Sequence, residues 1–442
     1  MRTMRRLAVL CLFLVLSGIA KGQFLMDMID TSTALGKGMF SMYKKYDALR
    51  FSGYIQPQFQ YIGSKGAKSF AGGDFPAAVN NRFMLRRGRI RLDYERYDDN
   101  GMPMVAFAFQ FDGSERGVFI RDFYGRVFEG KWNVLSLSAG MFARPFGYEV
   151  NLASADRESP ERGRMSQILM KTERDLGAMV TFEPRRKNHP LRYFRIDAGL
   201  FNGQGLSGPS DFDSHKDLIA RIALKPYPLN SKGWRISGGI STLYGGMQQF
   251  THYIYSSGNA ADGKTVFRVD SSLSNEGKIA PRHYYGADIQ LRIPNGKKGN
   301  TEFRAEYIRG TQTATAATSE TPGTIPTDAA GVRQPLYVRK FDGAYFYFLQ
   351  NLGSPQHQIG LKYDWYDPNS DISGHEIGQA DSNTTEADVR FDTFGAGYLY
   401  YFNEHLKITL WYDLIRNEST DLKGYTTDVK DDVFTCRLQF RF

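Results

Sequence analysis

The 442 residues carry 56 basic and 47 acidic side chains, for a net charge of +9, with 45 glycines, 32 phenylalanines, 26 tyrosines and two cysteines. Mean hydropathy is −0.43, and no apolar run after Gly22 approaches the ~20 residues of a membrane-spanning helix, which excludes a helical membrane protein. An aromatic-rich, glycine-rich but overall polar chain has the composition of an outer-membrane barrel.

The first residues read as an address. Arg2, Arg5 and Arg6 precede an apolar stretch from Leu7 to Ile19, and Ala20-Lys21-Gly22 has the small-x-small pattern of a cleavage site. Residues 1–22 are thus expected to be a signal peptide, and export argues against nucleic acid as the partner of the basic charge. Removing its four basic residues, Arg2, Arg5, Arg6 and Lys21, leaves +5. Cys436 is then the only cysteine, so no internal disulfide can form. Leu35, Met39, Met42, Tyr46 and Leu49 recur at three- and four-residue spacing, which predicts a short amphipathic helix within 23–49, a periplasmic lead-in or, alternatively, a partner-binding helix or partial plug.

From residue 50 to 442 the chain alternates apolar and polar residues in sixteen runs. They cover 50–62, 82–97, 103–113, 119–129, 133–144, 175–184, 191–202, 216–227, 233–245, 282–293, 300–311, 336–350, 356–366, 387–402, 405–416 and 432–442. Every even-to-odd connection is short and several carry turn chemistry, as at Asp98-Asp-Asn-Gly101 and Asn295-Gly296. Every odd-to-even connection is long except Ser114-Glu-Arg-Gly117. That rhythm predicts an all-β fold: a transmembrane antiparallel barrel with tight turns at one end and long loops at the other. In the last run Phe434, Cys436, Leu438, Phe440 and Phe442 share one face, and Thr435, Arg437, Gln439 and Arg441 the other. The apolar face is expected to meet lipid and the polar face the lumen.

The stretch from 134 to 176 organises the chain. Leu135, Leu137, Ala139 and Met141 alternate with Ser136, Ser138 and Gly140 until Pro145-Phe146-Gly147 breaks the strand. Residues 148–174 then carry Arg157, Arg162, Arg164, Lys171 and Arg174 against Glu149, Asp156, Glu158, Glu161 and Glu173. So charged an insert needs a wet place to lie, and inside a wide barrel it would line the pore as an inward-folded third extracellular loop. Gly140-Met-Phe-Ala-Arg-Pro-Phe-Gly-Tyr-Glu149, with Arg174-Asp-Leu-Gly177, resembles the loop-three region of the phosphate-selective porin O/P family. Arg82-Phe-Met-Leu-Arg-Arg-Gly-Arg-Ile-Arg-Leu92 resembles that family's arginine-rich second strand. Where the family usually has Lys two residues before Pro-Phe-Gly, this chain has Ala143. The resemblance implies a homotrimer and phosphate-like solutes, and the terminal Phe442, with Phe440, resembles the signal read by the barrel assembly machinery.

Arg87, Arg89 and Arg91 stand at strand spacing on one face. Facing lipid near the midplane each would cost ~2–4 kcal/mol, so they are expected to point into the lumen. Arg86 would fall on the lipid side and reach back to the headgroups. The expected channel-lining set is Arg87, Arg89, Arg91, Arg157, Arg162, Arg164 and Arg174, with Arg157, Arg162 and Arg164 either facing that ladder or turned away from it. Pro145, Phe146, Gly147, Tyr148 and Glu149 form the constriction loop's hinge, and Phe146 and Tyr148 are expected to wedge it against the wall. Asp367-Pro-Asn-Ser-Asp371 lacks the glycine an EF-hand loop needs, since Ile372 stands there, and the histidines have no metal spacing. No Gly-x-Ser-x-Gly elbow appears. The expected function is passive diffusion of small polar solutes with anion preference, without cofactor, metal or catalytic step. A surface-binding barrel with a blocked lumen, or a barrel-embedded enzyme, are the rivals.

Overall fold

The computed structural model describes residues 48–207 and 210–442, so the expected signal peptide and most of the 23–49 lead-in lie outside the described residues. Eighteen strands follow in order: β1 (Leu49–Ile62), β2 (Asn81–Tyr97), β3 (Pro103–Ser114), β4 (Gly117–Phe128), β5 (Leu135–Ala143), β6 (Arg174–Phe182), β7 (Phe194–Phe201), β8 (Asp217–Pro228) and β9 (Arg235–Gln248). They continue as β10 (Ile254–Asn259), β11 (Thr265–Asp270), β12 (Ile279–Pro294), β13 (Asn300–Ala314), β14 (Leu336–Asn351), β15 (His357–Asp367), β16 (Phe391–Tyr401), β17 (Leu406–Asn417) and β18 (Val433–Arg441). One short helix, α1 (Arg164–Leu169), lies between β5 and β6.

Sixteen of these strands form a closed antiparallel barrel. Each pairs with its chain neighbour, except that β9 pairs with β12 and passes over the β10–β11 hairpin. Closure comes from β18 on β1, in register from Tyr54↔Arg441 to Ile62↔Val433. The terminal residue seals this seam: Phe442 exchanges both backbone hydrogen bonds with Gly53, at 3.1 and 3.0 Å, and its ring stacks on Phe51 at 5.6 Å. A closed ring leaves no strand edge unpaired.

Period-2 alternation decides which side chains lie inside. In β18, Thr435, Arg437 and Gln439 are buried while Phe440 is exposed; in β5, Ser136 and Ser138 are buried while Leu137 is exposed. The outer wall therefore shows rows of Ile90, Ile240, Ile289, Leu361 and Phe394. An apolar surface of that extent is far beyond what water tolerates on a soluble protein.

Two features depart from the alternation pattern. The 249–278 connection contains the β10–β11 hairpin, which adds a short parallel pairing of Ile254–Ser256 with β14. Phe267 of that hairpin joins Tyr337, Ile372, Ile377 and Val389 in a small apolar core above the wall, so several long connections pack together. A larger apolar cluster joins Phe146, Val150, Met165, Ile168 and Leu169 of the β5–β6 connection to strand residues such as Ile219, Tyr284 and Ile308.

Candidate functional site

The β5–β6 connection, 144–173, is stapled at its root by three devices. Arg144 donates its backbone N–H to Glu173 O at 3.0 Å, tying one end of the connection to the other. Phe146 is fully buried with its ring edge-on to Tyr284 at 6.0 Å. Glu306 of β13 accepts the backbone N–H groups of Tyr148 and Glu149, at 3.2 and 3.0 Å, and the Tyr345 hydroxyl at 2.8 Å. This close approach is possible because position 147 is glycine. Its φ is +67°, and a Cβ there would lie 2.2 Å from the Glu306 carboxylate. Glu149 in turn accepts from Gly163 N at 3.0 Å, Ser166 Oγ at 2.6 Å and Tyr347 OH at 3.2 Å, which holds the start of α1 to the hinge.

From that root the segment bonds to residues of distant strands. Ser154 meets Tyr54 and Gln56 of β1, at 2.5 and 3.0 Å. Lys407 of β17 donates to Ala155 O and Arg157 O, at 2.9 and 3.0 Å. Glu158 takes a two-pronged pair from Arg304 of β13, at 2.8 and 3.0 Å, and Pro160 O accepts from Arg437 of β18 at 2.6 Å.

Arg87, Arg89 and Arg91 of β2 all carry partners. Arg87 makes a bidentate pair with Glu161, at 3.1 and 2.7 Å. Arg89 pairs with Asp112 at 2.8 Å and also donates to Tyr54 OH and Ser154 Oγ. Arg91 holds Asp93 at 2.7 Å and Asp122 at 2.9 Å. They do not form a bare cationic ladder, because each guanidinium faces a carboxylate. The expectation for Arg86 is corrected outright: it does not reach toward lipid but donates to Glu161 at 2.9 and 3.1 Å. Its carboxylate partner comes from the distant loop, which spacing along β2 cannot reveal.

Glu161 is thus shared by Arg86, Arg87 and Arg437, the last at 2.8 Å. Burial pushes its carboxyl up, but the three guanidiniums more than reverse this and hold it well below the usual carboxylate range. A second shared carboxylate, Glu173, binds Arg121 and Arg162 and lies 3.7 Å from Arg174, which itself pairs with Asp122 at 2.9 Å. Arg164 has a longer ion pair, 3.9 Å to Asp431, and its guanidinium is stacked over Phe391 at 3.5 Å and Phe70 at 4.6 Å. Arg157 is different from all of these. It is 4% exposed, and its Nε and Nη1 have no hydrogen-bond partner among the described residues. Burial, with the like charges of Arg162 and Arg87, disfavours its charged form.

Arg157 lines a cavity of about 980 Å³ at the long-connection end. Ten basic and seven acidic side chains border it, a surplus of three positive charges. Arg87, Arg89, Arg157, Arg162 and Arg164 come together here; Arg91 and Arg174 do not line it. Arg121, Lys407 and Glu306 were not singled out from the sequence, whereas Arg437 was expected on the lumen face of the last strand. Arg437 and Lys407 do sit on the polar rows of alternating strands, which is a usable signal.

No family model matches this sequence, and no curated protein matches it. Among solved structures the chain is similar to the anion-selective porin from Comamonas acidovorans, at 11% identity and a TM-score of 0.49, covering 89% of this chain and 99% of that one. It is also similar to the outer membrane channel DcaP of Acinetobacter baumannii, at 12% identity and 0.49, covering 89% and 97%. In-vitro folded OmpT, an outer membrane protein of Vibrio cholerae, gives 10% identity and 0.47, with 89% and 97% covered. The chemistry of the site rests on this chain's own residues.

Proposed function

We propose that this chain is an exported outer-membrane porin through which small polar solutes diffuse passively, anions in preference to cations, phosphate among them. In this reading residues 1–22 direct export and 23–49 form a periplasmic lead-in. Phe440 and Phe442 present the last strand to the assembly machinery, and three copies associate. The connection 144–173 folds into the bore as its constriction, hinged at Pro145-Phe146-Gly147-Tyr148-Glu149. Arg87, Arg89, Arg91, Arg157, Arg162, Arg164 and Arg174 supply basic wall chemistry. No catalytic step is part of the proposal.

Support for the membrane comes from the exposed apolar rows on the outer wall. Support for the constriction comes from hydrogen bonds of 154–160 to β1, β13, β17 and β18, since the ends of that segment continue into β5 and β6. The anion preference is carried by one observation above the others, a cavity whose lining carries three surplus positive charges and includes the unpartnered Arg157. Cationic walls in a narrow, low-dielectric path focus the field and raise the local anion concentration. The test is single-channel recording in a planar bilayer. Discrete, ohmic conductance steps are expected from the purified protein; a folded protein that gives none would leave the surface-binding barrel with a blocked lumen.

A further inference from the structure

The same cavity has a second chemistry that a simple inorganic anion does not use. Phe70, Tyr366, Phe391 and Tyr425 line it together with Ile168 and Val389. Phe70, Phe391 and Tyr425 are only partly buried, so part of each ring remains accessible. The aromatic residues come from the first long connection, from β15 and β16, and from the last long connection, whereas Arg87 and Arg89 come from β2 and Arg121 from β4. Arg164 joins the two chemistries, because its guanidinium stacks on Phe70 and Phe391 while it keeps only a long contact to Asp431.

All the acidic lining side chains but Asp74 are already held by a cation among the described residues, Asp112 by Arg89 and Asp431 by the longer contact to Arg164. Glu161 is claimed by three arginines, Glu173 by Arg121 and Arg162, Glu386 by Lys68 and Glu320 by Lys171. Arg157 lines the cavity with N–H groups that have no partner among the described residues, and because burial disfavours its charge, an anionic ligand would supply the missing counterion. Inorganic phosphate is small beside about 980 Å³ and gains nothing from apolar walls, while stripping its water there is unfavourable. A solute with one anionic head and a ring or branched apolar body can satisfy Arg157 and cover the aromatic wall at once.

We propose that this cavity selects amphipathic organic anions, aryl or bulky alkyl carboxylates, over inorganic anions of equal charge. The proposal rests on the reading of the barrel as an anion-preferring channel and names the class of solute at that site. The head is held by charge-assisted hydrogen bonds to Arg157, and the body lies against Phe70, Phe391 and Tyr425. Occupancy stays weak and reversible because the cavity is open and a porin must release what it takes up.

The test uses the full chain folded in detergent, with radiolabelled benzoate in equilibrium dialysis against protein-free micelles as the blank. Benzoate should bind roughly tenfold more tightly than acetate, from burial of its ring, and equimolar phosphate should not displace it. Neutral benzyl alcohol should not compete. Arg157→Gln should weaken benzoate and acetate alike, by roughly tenfold for the lost charged hydrogen bonds. Phe70→Ser and Tyr425→Ser, both outside the barrel strands, should weaken benzoate several-fold while leaving acetate unchanged. Benzoate binding no tighter than acetate, or displaced by phosphate at equal concentration, overturns the proposal without any variant. Chloride-preferring channels with no benzoate preference would sink this inference and keep the porin; benzoate binding without conductance would keep the site and sink the porin.

Discussion

Glu161→Gln is the most informative single change, because one carboxylate is shared by three guanidiniums. Its oxygens lie 2.9 Å from Arg86, 2.7 Å from Arg87 and 2.8 Å from Arg437, and the side chains of Glu161, Arg87 and Arg437 are each less than one-tenth exposed. Removing one partner of a buried pair leaves the others uncompensated and costs about 3–5 kcal/mol. Glutamine still accepts a hydrogen bond but no longer neutralises, so the variant should unfold at lower temperature or denaturant. The same change raises the cavity's surplus from three positive charges to four. A unit charge ~5 Å from the ion path is worth about 0.8 kcal/mol in water, with opposite sign for anions and cations. The anion-to-cation permeability ratio, read from reversal potentials at low salt, combines both shifts, about 1.6 kcal/mol, and should therefore rise about tenfold. The gain should shrink near 1 M salt, where the screening length is ~3 Å. A folded variant with unchanged selectivity, or one shifted toward cations, would refute the electrostatic reasoning.

The remaining predictions concern the hinge, the seam and acidification. Gly147→Ala should loosen the connection by ~2 kcal/mol or more, from its φ of +67° and the clash with Glu306; larger, noisier conductance and new protease cleavage within 144–173 should report it, and an unchanged channel would contradict the anchoring role. Deleting Phe442 removes two backbone bonds to Gly53 and the stack on Phe51, so insertion into the outer membrane should fall sharply; wild-type levels would show that closure does not depend on this residue. Burial, opposed by Arg164 and reinforced by Asp428, pushes Asp431 up to about 6 from its ordinary 3.8. A carboxyl raised in the folded state binds its proton more readily there, so acidification from about pH 7 to 5 should stabilise the fold at this site. Protonation also removes a negative charge from the cavity, so anion preference should increase over the same range, and Asp431→Asn should abolish that increase.

The barrel was legible because strand alternation is a local signal. Ser136 and Ser138 against Leu137, or Arg437 against Phe440, announce two faces without any knowledge of the neighbours. The β10 strand was not legible, because Ser256, Ser257, Gly258 and Asn259 offer no apolar alternation; its stability comes from pairing with β14 and from Phe267 in a core shared with other connections. The arginines of β2 were visible as a group and their partners were not. Glu161 lies 74 residues from Arg87 in the chain, and its place is fixed by a hinge that depends on Glu306. Arg86 was misassigned for the same reason, since period-2 reasoning treats a strand as though nothing crosses in front of it. Beyond Phe146, the apolar cluster with Val150, Met165, Ile168 and Leu169 was hidden in a segment whose charges dominate its composition.

The central claim is that the bore is open and that its fixed charge favours anions. The direct measurement is the reversal potential of the unmodified protein in a planar bilayer, with ~100 mM potassium chloride against ~10 mM, where the screening length is about 10–30 Å and wall charges are fully felt. The account predicts a stable conductance whose reversal potential lies toward the chloride equilibrium potential. A reversal potential toward that of potassium, or a folded barrel that passes no current, would contradict it.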